Sequence, residues 1–537
     1  MAESAAGREF YPELRRELAA QLPSYLAGQR WFGGKARTIS AAELLDVVPV
    51  PLVSTIAGSD PRQALLLIVS ITYTEGPGDS YAIPVLRAAD VTVDRGGSAH
   101  LKISGAGGSF EVVDALKEEA FLSALLQLID AQATLHGEKG ELRASQTSAY
   151  ASARGAGAAS LPAKPVGAEQ SNTSIIYGDR LILKFVRRVE EGVNPDLEIG
   201  AFLTEKAHFT GTPQVAGSLR YITRDGKESA QGILQTFVAN QGDAWSYTLK
   251  SLSRFYAAAG SAAAEGKGAT DAEKAEFVAS EAGEFLKAAA LLGQRTAEMH
   301  LALASDAALS DRAFAPEPFT VEFQSELEQS MRRLSVGVFA QLREKISGLP
   351  LEQQETAKRV STQESEVGNR IQKALSTPIR ATRTRIHGDY HLGQVLYTGS
   401  DFVIIDFEGE PARPLAERRV KRSPLQDVAG MLRSFHYAAF APLLTPGDAK
   451  STASKTTVEK LGSWAEAWNV SVAERFLGSY SQAAGQAAYL PASMAETQVL
   501  LELHLLEKAV YELGYELNNR PTWVGIPLQG ISRILSI

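Results

Sequence analysis

Between residues 385 and 411 the chain reads RIHGDYHLGQVLYTGSDFVIIDFEGEP. Carboxylates, two histidines and a glutamine interrupt what is otherwise a run of strand-forming residues. Buried carboxylates are costly unless something pairs with them. Phosphoryl transfer gives them work. It needs one carboxylate to orient the attacking hydroxyl and take its proton, and oxygen ligands for the magnesium ion on the nucleotide phosphates. His387-Gly388-Asp389, then Gln394, then Asp406-Phe407-Glu408 after the strand-like FVIID, has that order. Asp389 is the candidate base, and Gln394 and Asp406 are the candidate ligands. Gln394 stands where a kinase loop usually has Asn, and its carbonyl is the same ligand on a longer arm. His387 suits a packing and hydrogen-bonding role in the loop better than a catalytic one.

A kinase reading requires a nucleotide lysine upstream on a strand, followed by a helix with a glutamate. Lys184 in LILKF and Glu198 in NPDLEIGAFL stand in that order, and their pairing would aim the ammonium at the α- and β-phosphates. No Gly-x-Gly-x-x-Gly precedes the lysine. EQSNTS takes its place, and Gln170, Ser171, Asn172, Thr173 and Ser174 could offer backbone N–H groups and hydroxyls to phosphate oxygens. The same stretch suits a polar hairpin turn equally well. LQTFVANQGDAW fits a hinge whose backbone, around Gln235 to Val238, reads the adenine edge.

Two further stretches mark a substrate side. In LLEKAVYELGYELNNRPTWVGIPLQGI, Leu506, Val510, Leu513 and Leu517 form an apolar helical stripe. Lys508, Tyr511, Glu512, Tyr515, Glu516 and Asn519 share the opposite side. Tyrosine rings stack on sugar C–H faces and charged groups bind hydroxyls, although Glu and Lys on a helix also make an ordinary solvated face. Near the N-terminus, QRWFGGKAR sets Trp31 and Phe32 before two glycines and two basic residues, a pattern that a packed turn explains more simply.

These parts need scaffolding. Residues 41–105 hold β-rich runs split by Gly, Pro and Asp. Residues 110–129 have helical spacing. The Ala-, Gly- and Ser-rich stretch 133–168 reads as a loop. Strands resume over 170–188 and 228–245, with a Pro-initiated helix between them at NPDLEI. Beyond 245 the pattern is almost all helix apart from the opening segment. Residues 257–277 and 351–370 look like insertions. The expectation is an α+β, bilobal protein-kinase-like fold with a β-rich N-terminal cap and a large helical C-terminal lobe. Composition agrees with a globular enzyme: 537 residues, 45% hydrophobic, 22% charged. A net charge of -8 argues against non-specific nucleic-acid or anionic-membrane binding. The absence of cysteine excludes disulfides and thiolate chemistry. No signal peptide and no apolar run of about 18 residues is evident, so the expected location is cytoplasmic.

The segments QRWFGGKAR, ILKF with NPDLEI, VANQGDAW, IHGDYHLGQVL, IIDFEGEPARPLAERRVKRSPLQDVAGMLRSF and LEKAVYELGYELNNRPTWVGIPLQGI together resemble bacterial maltokinases, over residues 29–531. The resemblance implies ATP-dependent phosphorylation of maltose at its anomeric hydroxyl, with Mg2+ as cofactor. It also implies a metabolic link to trehalose synthase and a maltosyltransferase in α-glucan synthesis. It divides the chain into a cap over 1–105, an intermediate subdomain over 106–240 carrying the nucleotide sheet and ending at the hinge, and a helical lobe over 241–537. By analogy Asp389 is the base and Gln394 and Asp406 bind magnesium. His391, Glu408, Lys508, Tyr511 and Glu512 serve the substrate. An amino-sugar (glucosamine) kinase on the same scaffold is the alternative, with Glu512 and Glu516 facing the ammonium. A catalytically inactive sugar- or nucleotide-binding regulator is more remote, because Lys184, Asp389, Gln394 and Asp406 are all present.

Overall fold

The computed structural model describes residues 17–18, 20–52, 62–87, 101–105, 108–155, 161–167, 172–265, 267–268, 270–444 and 455–536. Side chains of 102–110 and 455–460 are not described. The chain forms two compact units. The first takes the described residues up to Glu205 and Pro213–Ala239, and the second takes Lys206–Thr212 and Asn240 onward.

The first unit holds two antiparallel sheets. Strands β1 (Ile39–Pro51), β2 (Gln63–Tyr73), β3 (Asp79–Arg87), β4 (Leu101–Gly105) and β5 (Gly108–Asp114) form one, in the order β1-β2-β3-β5-β4. Alternate residues of a strand face opposite sides. In β2 both sides are covered, which is why ALLLIV reads as a continuous apolar run. Leu65, Leu67 and Val69 pack with Trp31, Phe32 and Tyr25, while Leu66 and Ile68 join the core shared with the second sheet. That second sheet has β6 (Thr134–His136), β7 (Gly140–Gln146), β8 (Ala163–Pro165), β9 (Asn172–Tyr177), β10 (Leu181–Val186), β11 (Val215–Thr223) and β12 (Glu228–Thr236), in the order β6-β7-β11-β12-β10-β9-β8. Helix α1 (Glu119–Asp130) buries Phe121, Leu122, Leu125 and Ile129 in the shared core.

Three expectations change here. The helix begins at Glu119, not 110, because Val112, Val113 and Asp114 pair with β3, and the Asp114 carboxylate then accepts the Leu116 N–H at 3.0 Å to start a turn. A cap boundary at 105 would cut through the β4–β5 hairpin. The stretch 133–168 carries three strands and a short helix, Tyr150–Arg154, rather than a loop. Two of its small residues sit on β7 at close quarters with the neighbouring strand: Ala144 is buried, and the Ser145 hydroxyl meets Ser218 at 2.8 Å.

The second unit is helical. Its main members are α2 (Ala244–Ala264), α3 (Gly283–Leu303), α4 (Val321–Lys345), α5 (Leu425–Leu444), α6 (Lys455–Ala484), α7 (Met494–Asn519) and α8 (Gly525–Leu535). Helix α5 is buried along nearly all of its length. Helix α7 starts in a capping box, in which Ser493 and Glu496 satisfy each other's backbone N–H groups. Among the described residues the two presumed insertions are largely helical: 257–264 close α2 and 271–277 open the helix Asp271–Glu281, while 351–370 makes the helices Leu351–Ser361 and Glu364–Leu375. The FVIID segment contributes to a two-stranded ladder, β15 (Val395–Tyr397) with β16 (Phe402–Ile404), and a separate, smaller pair joins β13 (Glu317–Pro318) with β14 (Thr382–Arg383). The architecture is therefore α+β, with a β-sheet N-terminal region and a helical C-terminal region. Among the described residues no helix is long and apolar enough to cross a membrane.

Candidate functional site

The loop carrying Asp389 is held from below by one buried carboxylate on α5. Asp427 accepts the His387 N–H at 2.8 Å and the Gly388 N–H at 2.9 Å. Its Oδ2 also meets His300 Nε2 at 3.0 Å, and His300 Nδ1 meets the Tyr480 hydroxyl at 3.0 Å. Burial pushes the Asp427 carboxyl up, but His300 and the loop N–H groups outweigh it and leave it below the ordinary carboxylate value. The loop can turn here because Gly388 adopts φ +84°, a conformation that favours glycine. Helix α5 approaches the loop closely at Gly430, where a Cβ would lie 2.6 Å from the Tyr390 carbonyl oxygen.

His387 ties the loop to the next strand. Its Nε2 lies 2.9 Å from the Ile405 carbonyl, and its ring packs between Tyr390 and Phe407 with centroids 5.2 and 4.9 Å away. The Ile405 N–H donates to the Gln394 carbonyl at 3.0 Å, extending the β15–β16 ladder. That bond brings the Gln394 and Asp406 positions to the same end of the ladder. Asp406 sits at φ +71°, a conformation an ordinary residue avoids and one often held at functional sites. An amide oxygen and a carboxylate on neighbouring strand ends fit a hard cation such as Mg2+, which takes few protein ligands and oxygen alone. Glu408 follows in the same turn, half-buried.

Helix α7 supplies the other wall. Lys508 Nζ stands 3.6 Å from Asp389 Oδ1 and 3.8 Å from Glu410 Oε2. Burial pulls the ammonium down, yet Asp389, Glu512 and Glu410 together hold it above its ordinary value, so it stays charged. The Tyr511 hydroxyl donates to Glu410 Oε1 at 2.8 Å, and the Lys508 ammonium lies 5.1 Å from the Tyr511 ring centre. His391 Nε2 lies 3.9 Å from Asp389 Oδ2, while its Nδ1 accepts the Gly393 N–H at 3.0 Å. Asp389, His391, Lys508 and Tyr511 are thus brought together, with Glu410 joining through Lys508 and Tyr511.

Glu512 and Glu516 point elsewhere. Glu512 accepts from Arg433 Nε at 2.8 Å and sits 2.7 Å from its second nitrogen. Glu516 is buried and takes Arg520 at 2.7 and 2.9 Å and the Tyr437 hydroxyl at 3.1 Å. The face read as one polar surface is split. Its first turn meets Asp389, and its second turn is engaged by arginines.

In the first unit Lys184 lies mid-strand on β10, with Ser174 opposite. Its Nζ is 3.1 Å from Asp196 Oδ2, a buried carboxylate in the first turn of the helix Pro195–Glu205. Asp196, two residues before the expected partner Glu198, is therefore a partner that sequence reasoning missed. Asn172, Thr173 and Ser174 belong to strand β9 rather than to a loop, and the Thr173 hydroxyl accepts from Arg187 Nε at 3.0 Å in a buried network with Asp114. Gln170 and Ser171 lie outside the described residues. Gln235 lies near the end of β12 and Val238 just beyond it. Trp31 and Phe32 are buried under the first sheet, with Arg187 stacked 4.5 Å from the Trp31 ring. Glu410 was also missed, although its place two residues after Glu408 continues an alternating acidic pattern.

No known protein-family profile matches the chain. It is similar to a glucosamine kinase of Mycolicibacterium smegmatis, 27% identical over 378 residues that cover 69% of this chain and 79% of the relative. A glucosamine kinase of Streptacidiphilus jiangxiensis is 22% identical over 374 residues, covering 68% and 72%. Among solved structures, a glucosamine kinase superposes with a TM-score of 0.61 at 18% identity, covering 97% of this chain and 99% of that one. A glucosamine kinase in complex with glucosamine, ADP and inorganic phosphate superposes with a TM-score of 0.55 at 18% identity, covering 85% and 92%. At that identity the superpositions establish a shared fold.

Proposed function

We propose that the chain is an ATP-dependent sugar kinase. The observation that carries this reading is the loop carboxylate Asp389 beside Lys508 and near Glu410 and Tyr511, on a fold shared with solved glucosamine kinases. In the reaction the sugar hydroxyl attacks the γ-phosphorus. A new O–P bond forms, the bond to the departing ADP breaks, and the hydroxyl proton passes to the Asp389 carboxylate. Lys508 and Tyr511 orient the sugar through its oxygens and its C–H face. Lys184, held by Asp196, is assigned to the nucleotide phosphates. Magnesium, bound through Gln394 and Asp406, would neutralise phosphate charge during transfer. Positioning and electrostatics of this kind supply most of the catalysis in phosphoryl transfer.

The acceptor has two readings. Glucosamine is supported by the curated relatives, both of which are glucosamine kinases. A neutral acceptor, which the sequence resemblance would make maltose, is supported by a specific feature of the site. The two glutamates best suited to a sugar ammonium, Glu512 and Glu516, are each engaged by an arginine, and a charged lysine already stands beside Asp389 and Glu410. A panel of glucosamine, maltose, glucose and trehalose, with ATP and magnesium, separates them. ADP release identifies the acceptor, and phosphorus NMR assigns the position phosphorylated. Binding of nucleotide or sugar without ADP release from any acceptor would instead mark an inactive regulator.

A further inference from the structure

Beside the Asp389 loop lies a small pocket of about 50 Å3, and its far end is lined by residues to which no role has been given above. Gly388 and Lys508 form part of its wall, so it adjoins the proposed reacting centre. Glu410, Tyr511, Glu507 and His504 also line it. His504, Glu507, Lys508 and Tyr511 stand at i, i+3, i+4 and i+7 on α7 and share one face.

His504 is the informative member. It is 3% exposed, and its Nδ1 lies 3.1 Å from the Glu507 carboxylate. A carboxylate only accepts, so Nδ1 carries the proton. Its Nε2 is buried and has no hydrogen-bond partner among the described residues. A buried polar atom left unsatisfied costs about 1–3 kcal/mol, so a partner from outside the protein is called for. A hydroxyl suits it in either protonation state of the ring. It can donate to the Nε2 lone pair of neutral imidazole or accept from a second N–H.

Size narrows the choice. One water occupies about 30 Å3 of liquid, so this cavity holds a group of one or two heavy atoms, not a sugar ring. We infer that it is a subsite for a single hydroxyl or hydroxymethyl substituent of the acceptor sugar, recognised by His504 and oriented by Glu507. The inference rests on the sugar-kinase reading and deepens it, naming a specificity-determining residue outside the reacting cluster.

The test measures kcat/KM for the accepted sugar and each of its monodeoxy analogues, in wild type, His504→Leu and His504→Gln. In wild type one analogue should lose about 10-fold or more, the cost of one hydrogen bond to a buried group. In His504→Leu the parent sugar should fall to the level of that analogue, erasing the difference. His504→Gln, which keeps a hydrogen-bonding side chain, should restore part of it. If His504→Leu does not fold, the Gln variant decides alone. An intermediate penalty supports the subsite and an unchanged one overturns it. The same penalty for every analogue in all three proteins also overturns it, leaving a cavity that holds only water. Wild type that phosphorylates no sugar overturns the parent reading and the subsite together, an outcome distinct from turnover with a flat analogue series.

Discussion

Asp389 on the loop and Asp427 on the helix beneath it are both carboxylates, and their surroundings separate their roles. Asp389 faces Lys508 and His391, whereas Asp427 is sealed under the loop and spends both oxygens on backbone N–H groups and His300. Asp389→Asn should lower kcat by about 10²–10⁴-fold, the usual worth of a general base, while ATP affinity by calorimetry stays close to wild type. A variant with more than about a tenth of wild-type turnover would remove Asp389 from that role. Asp427→Asn should act on the fold instead. The folded carboxyl lies below its ordinary value, so its contribution is complete above about pH 4 and is lost as pH falls through the folded value. Chemical denaturation across pH 3–7 should show the variant less stable at neutral pH, with a flatter acid limb. Parallel curves for the two proteins would contradict this. Tyr511→Ala should raise the KM for sugar about 5- to 150-fold, from about 1–3 kcal/mol of lost contact, and leave the KM for ATP nearly unchanged. Equal small effects on both would place the sugar elsewhere.

At the scale of elements, the Asp389 loop is positioned by a helix that comes unusually close. Gly430→Ala would drive a Cβ against the Tyr390 carbonyl oxygen, a backbone atom that has little room to yield. The expected outcome is a lower thermal midpoint together with reduced kcat, because the displaced residue adjoins Asp389. Loss of stability with full kcat would show that the loop tolerates the shift. Elements also show what a sequence discloses. The short-range signals were legible: Pro195 opening its helix, the strand-like FVIID, and the apolar stripe of Leu506, Val510, Leu513 and Leu517, all of it buried. Where tertiary pairing decides, they were not. Val112 and Val113 follow their neighbours into a sheet rather than the helical spacing, and Ala144 and Ser145 become strand because β11 lies alongside. Periodicity put Lys508, Glu512 and Glu516 on one face, but it does not tell which of them an arginine from α5 will engage. Nor does it distinguish Asp196 from Glu198 as a partner for Lys184, since both sit in one helical turn.

At the scale of the whole molecule, the order of parts along the chain carries the account: a sheet-rich unit with a lysine held by a buried carboxylate, then a helical unit with the Asp389 loop, the Gln394–Asp406 ladder end and the Lys508 helix. That order was readable from motif spacing, and the fold agrees with solved glucosamine kinases across nearly the full chain. The sequence resemblance pointed to maltose, whereas the curated relatives are glucosamine kinases; acceptor preference depends on a few side-chain contacts that a shared fold does not fix. The most direct measurement is ADP release by the purified chain with ATP and magnesium, in the presence and absence of each sugar of the panel, with phosphorus NMR of the product. The expected result is sugar-dependent ADP release, a phosphorylated sugar, and loss of both in Asp389→Asn. ADP release that no sugar stimulates, or a phosphorylated sugar formed equally well by Asp389→Asn, would contradict it.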